Sequence, residues 1–113
     1  MLLIAIVFFL LAAMFGIYLL SYVFAEKNTP KGVVITHGFL AFLGILLLIL
    51  YSFFYTIPLF SLIFFIVAAL GGGFMLKLDI FGKKIPKILA LGHGVIALVG
   101  LLLLIAFFMN YFK

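Results

Sequence analysis

The stretch from 33 to 76 reads VVITHGFLAFLGILLLILYSFFYTIPLFSLIFFIVAALGGGFML, 44 residues without a charge. As a single helix it would be about 66 Å long, roughly twice the thickness of a bilayer's hydrocarbon core. It therefore turns back on itself, and the segment from Ser52 to Pro58 is where it does so. Proline suits the first turn of the next helix, where the amide hydrogen it lacks would have no partner. Two more apolar stretches, 2–24 and 86–109, flank this pair, and each is long enough to cross once. The sequence predicts an all-α integral membrane four-helix bundle with spans near 2–24, 33–54, 58–77 and 86–109. All of 1–113 belongs to one membrane domain.

Composition agrees with that reading. The chain is 71% hydrophobic and 8% charged, more apolar surface than a soluble domain of 113 residues can cover. Its partner is the lipid bilayer. There is no cysteine, which excludes a disulfide framework, thiolate ligands, iron–sulfur clusters and covalent c-type haem. The net charge of +5 comes from seven lysines and no arginine. In a membrane protein such a balance reports orientation, and no nucleic-acid partner is expected. Lys27 and Lys31 lie in the first loop, and Lys77, Lys83, Lys84 and Lys87 in the third. The second loop has none, and Lys113 stands alone at the far terminus. Loops 25–32 and 77–87 are therefore expected on the cytoplasmic side, with both termini opposite. Residues 1–22 lack the basic start of a signal peptide and read as a mature helix. A bacterial inner membrane is the expected location. Tyr51, Tyr55 and Tyr111 form a modest aromatic belt on the outer side.

The two halves also resemble each other. Residues 1–57 lie on 57–113 at an offset of 56 without a gap. Phe8-Phe9 falls on Phe64-Phe65, Ala12-Ala13 on Ala68-Ala69, Gly16 on Gly72, and Lys27, Pro30 and Lys31 on Lys83, Pro86 and Lys87. The only histidines coincide as well: His37-Gly38-x-x-Ala41-x-x-Gly44 matches His93-Gly94-x-x-Ala97-x-x-Gly100. The expected architecture is two tandem helix hairpins, 1–56 and 57–113, about a pseudo-two-fold axis along the membrane normal.

The histidines then carry the chemistry. The second and fourth spans run the same way and are diagonal neighbours in an up-down bundle. Each histidine lies about one turn inside its helix, roughly 6 Å below the loop-side boundary. Adjacent axes 8–10 Å apart put diagonal axes about 11–14 Å apart. Two histidines gripping one metal span about 13 Å between Cα atoms, taking about 2 Å for each metal–nitrogen bond. The diagonal and a bis-histidine haem thus have matching lengths, with His37 and His93 as axial metal ligands. Positions i, i+4 and i+7 share a helix face, which sets Ala41 and Gly44 beside His37, and Ala97 and Gly100 beside His93. Gly16 and Gly72 supply close backbone approach from the flanking spans. Lys31 and Lys87, about 9 Å nearer the loops, are placed to meet haem propionates. Each feature has a plainer reading. Ala12-x-x-x-Gly16 is a small-xxx-small packing pattern, the lysines are topology signals, and an isolated histidine can tie helices together by hydrogen bonds.

Other chemistries lack their residues. No acidic residue falls within an expected span, so there is no carboxylate for proton or cation antiport. Small multidrug transporters share this size but carry a glutamate in their first span. Two histidines alone make a poor zinc site. The serines and threonines have no base partner, and Gly71-Gly72-Gly73 lacks the lysine and hydroxyl of a phosphate loop.

On His37 and His93 and their diagonal placement, the chain resembles a small b-type membrane cytochrome of the cytochrome b561 class. The likeness is one of architecture and not of full-length sequence. That class has two histidine pairs and two haems, whereas this chain has one pair. The resemblance implies one haem b per chain and electron transfer with a quinone or a larger membrane redox complex. The chain would then be a redox carrier or a small oxidoreductase subunit. The duplicated histidine pattern is also similar to small uncharacterised four-span bacterial membrane proteins. Rival expectations are a cofactor-free structural or assembly subunit, and a small-molecule or quinone-binding protein. The glycine-rich third span equally suits a homo-oligomer contact.

Overall fold

A computed structural model describes residues 1–111. It holds four α-helices: α1 (Leu2–Phe24), α2 (Lys31–Ser52), α3 (Leu59–Ile80) and α4 (Lys87–Tyr111). Lys113, used above for orientation, lies outside the described residues. Each helix is long and apolar enough to cross a membrane. The chain is an integral membrane protein by that measure, 44 Å long and 19 Å across between Cα atoms.

Proline marks the helix starts. Pro30 and Pro58 are extended residues capping α2 and α3, and the carbonyl of Pro86 accepts the Ala90 amide at the start of α4. At the loop end, α1 and α3 close in the same way. Glu26 N–H donates to the Val23 carbonyl and Lys27 N–H to Tyr22; Gly82 N–H donates to Asp79 and Lys83 N–H to Leu78. This pair of hydrogen bonds is the Schellman termination, and it needs a left-handed residue. Gly82 supplies it at φ 69°, but in the first half the position falls to Glu26 at φ 56°. The helix α3 runs three residues past the expected span end, which brings Asp79 into its last turn.

Helix α1 packs on α2 and α4, and α3 on α4 and α2, so α1/α3 and α2/α4 are the two diagonals. The half away from the two lysine-bearing connections, 25–30 and 81–86, which mark the loop end of the bundle, is filled by Leu2, Ile6, Leu48, Tyr51, Leu101 and Leu104. Ser61, fully buried there, donates its hydroxyl to the Gly100 carbonyl at 2.6 Å. Most large apolar side chains point outward, as lipid-facing surface requires.

Candidate functional site

His37 and His93 each stand six residues past the lysine that opens its helix, about 9 Å along it. Since α2 and α4 run the same way, the two histidines sit level. They face each other across the diagonal, with ring centres 6.2 Å apart and ring planes at 77°. Among the described residues no hydrogen bond joins the two rings.

Each ring is fixed from behind. His37 Nδ1–H donates to the Ala12 carbonyl at 2.7 Å, and His93 Nδ1–H donates to the Ala68 carbonyl at 2.7 Å. A carbonyl oxygen only accepts, so Nδ1 carries the hydrogen. In the neutral ring the lone pair then belongs to Nε2. Metal-ligating histidines share this arrangement, the far nitrogen tied to a carbonyl and the near one left bare. Glycines complete the cradle. A Cβ at Gly16 would stand 3.0 Å from His37 Cε1, and one at Gly72 3.0 Å from His93 Cε1. The rings therefore lie directly on the backbones of α1 and α3.

Between and around the rings runs a cavity of about 390 Å³, within the range of cofactor and ligand sites. Phe9 and Phe65, stacked at 3.9 Å with planes only 4° apart, close it on the side away from the loops. Thr29, Asp79 and Ile85 line its loop end. The intervening walls are small: Ala12, Ala13 and Gly16 on α1, Ala68, Ala69 and Gly72 on α3, and Ala41 and Ala97 beside the histidines. On one flank it reaches the outer surface between α1 and α4, past Ile17, Leu91, Val95 and Leu98.

These donors suit some guests and not others. Among the described residues no cluster of three histidines or acids stands ready for a bare metal ion. A macrocycle that brings its own equatorial ligands needs only two. With about 2.0 Å for each metal–nitrogen bond and about 1.2 Å from nitrogen to ring centre, such a pair stands about 6.4 Å apart. The observed separation of the ring centres, 6.2 Å, is close to that value. The residues present fit a bis-histidine haem.

Several expected site residues are elsewhere. Gly44 and Gly100 do not line the cavity. The backbone of Gly44 lies against the Phe9 ring, where a Cβ would stand 2.8 Å away, and Gly100 lies against the Ser61 carbonyl and Phe64. Position i+7 keeps the angle of the histidine but is about 10.5 Å further along the axis. That takes it level with the phenylalanine stack, which covers both glycines while the neighbouring Ile45 and Leu101 still line the cavity. Lys31 does not stand ready for a propionate: its Nζ donates to Asp79 Oδ2 at 2.7 Å and to Thr29 Oγ1 at 3.1 Å, and Thr29 also donates to Asp79 at 2.8 Å. Lys87 stands 4.0 Å from Glu26 Oε1, which Lys84 also engages. Lys84, through its hydrogen bond and charge, holds the Glu26 carboxyl below its ordinary range, with Lys87 adding to the effect.

Two site features escaped the sequence. Asp79 was assigned to a loop, yet it lines the cavity with its side chain only 15% exposed. The phenylalanine stack was visible only as Phe8-Phe9 on Phe64-Phe65, with nothing to say which ring faces inward. Compared with protein-family models, curated proteins and solved structures, the chain gives no match in any of the three.

Proposed function

We propose that this chain is a membrane electron carrier that holds one haem b between His37 and His93. The observations that carry the reading are the two Nδ1 bonds, which leave Nε2 as the lone-pair nitrogen of each ring, and the 6.2 Å between the ring centres. When bound, haem supplies a one-electron couple at its iron. The chain's part is to hold, orient and insulate. His37 and His93 would hold the group from both sides, an arrangement that would disfavour oxygen binding. The Ala12 and Ala68 carbonyls fix the tautomers and raise the basicity of the ligating nitrogens. The apolar walls and the Phe9–Phe65 stack exclude water. The filled core beyond that stack supports a single site on the loop side, so electrons enter and leave from that half. A quinone or a larger membrane redox complex is the exchange partner.

The lysine-rich loops face the cytoplasm of a bacterial inner membrane in this reading, because six of the seven lysines crowd one side. The propionates would compete with Asp79 and Glu26 for Lys31 and Lys87. The direct test is reconstitution of the purified protein with haemin. His37→Gln and His93→Gln, made separately, should each convert a six-coordinate low-spin spectrum to a five-coordinate one or abolish binding. A protein that stays colourless while folded, or a spectrum indifferent to both changes, overturns the proposal in favour of a cofactor-free structural subunit.

A further inference from the structure

The bundle has a second polar feature at the loop end, apart from the histidines. A groove of about 330 Å³ is lined by Glu26, Lys84, Ile85, Pro86 and Lys87, where α1 ends and α4 begins. Glu26 alone faces both ammonium groups. One carboxylate cannot neutralise two lysines, so the groove keeps a net positive charge. Ile85 lines this groove and the central cavity alike, joining the two.

Below the groove lies the apolar cleft between α1 and α4. Its lining residues Ile17, Leu91, Val95 and Leu98 are exposed, Ile17 at 71%. From Lys87 to Leu98 the helix rises about 16 Å. One leaflet of a bilayer contributes about 15 Å of hydrocarbon. The cleft is therefore as deep as one acyl chain is long, with unneutralised positive charge at its head.

The opposite cleft differs on both counts. Between α2 and α3 the corresponding residues Ile35, Phe39, Phe42 and Gly73 do not line the cavity. Its loop end is closed by Lys31 paired one to one with Asp79 and tied by Thr29. Only the α1/α4 side combines an anion-seeking head with an open apolar slot.

We infer that this groove and cleft form a site for one anionic phospholipid of the loop-side leaflet. Its phosphate lies at Lys84 and Lys87, and an acyl chain enters the slot past Val95. The site uses neither histidine, and although it shares Lys87 and the outer cavity wall with the haem reading, it is tested on the protein without added haemin, so the two can fail separately.

Native mass spectrometry of the detergent-purified protein with phosphatidylglycerol, or with phosphatidylcholine of the same chains, tests it. Phosphatidylglycerol should be retained preferentially. Lys84→Gln with Lys87→Gln should erase that preference, at about fivefold per lysine. Lys77→Gln with Lys83→Gln, which removes the same charge elsewhere on the same end, should leave it intact. Val95→Trp, a lipid-facing change, should lower retention of both lipids by filling the slot. Inorganic phosphate should not displace the bound lipid. The inference is overturned if the control pair loses as much preference as the groove pair, which would indicate general surface charge. Full displacement by phosphate would overturn it too, by indicating a free-anion site. A thermal melt of each variant by circular dichroism confirms that the comparison is among folded proteins.

Discussion

Gly16→Ala should loosen the histidine cradle without touching a ligand atom. The new Cβ would stand 3.0 Å from His37 Cε1, whereas ordinary contact begins at 3.4 Å. The ring must therefore withdraw by about 0.4 Å or more, or the helices must part. The ring is already held by its 2.7 Å bond to the Ala12 carbonyl, so withdrawal strains or breaks that bond. A lost hydrogen bond costs about 1 kcal/mol and modest overpacking about 1–3 kcal/mol. At about 1.4 kcal/mol per tenfold, haem affinity should fall tenfold or more. Titration of haemin into the apoprotein, followed at the Soret band, reads the change. Gly72→Ala should behave alike, because its Cβ meets His93 Cε1 at the same 3.0 Å. Gly38→Ala is the control, next to His37 in sequence with nothing within 4 Å of its added Cβ. If Gly16→Ala binds as the parent does, or Gly38→Ala is the weaker binder, the cradle does not position the ring.

Other perturbations have equally definite outcomes. Ser61→Ala removes the buried hydroxyl bonded to Gly100 and should lower unfolding stability in detergent by about 1 kcal/mol. Gly82→Ala puts a side chain at φ 69° and should cost about 1–2 kcal/mol in the same assay. Phe9→Ala opens the stack that closes the cavity and should cost about 3–5 kcal/mol. The Glu26 carboxyl is held low in the folded chain by Lys84 and Lys87. Its contribution is present above the ordinary carboxylate range and is lost as pH falls through the lowered folded value. Melting temperature measured against pH should show that acid-side loss in the parent and not in Glu26→Gln.

The sequence made the four spans legible because charge is so unevenly placed. A charge-free run too long for one crossing had to turn, and prolines and lysines marked the ends of the helices. The level histidines were legible because two parallel helices open on the same Pro-Lys pair. The facing of the remaining residues was harder to read. Helices apolar all round carry no amphipathic signal, so nothing singled out Phe9 over Phe8 or Phe65 over Phe64. The spacing rule placed Gly44 and Gly100 on the histidine face but could not show that Phe9, Phe64 and the Ser61 backbone cover them. Ending the third span at its first charge hid Asp79, although a lysine such as Lys77 can extend its head to the interface while the helix continues. The pairing of Lys31 with Asp79, 48 residues apart, depends on how two helix ends meet. No local pattern encodes that.

Visible absorption of the purified, haemin-supplied protein is the most direct measurement of whether His37 and His93 share one guest. The bands should be those of a six-coordinate low-spin haem at one equivalent per chain, lost or converted on changing either histidine alone. Substoichiometric, high-spin absorption that survives both substitutions would mean that the rings do not hold a haem.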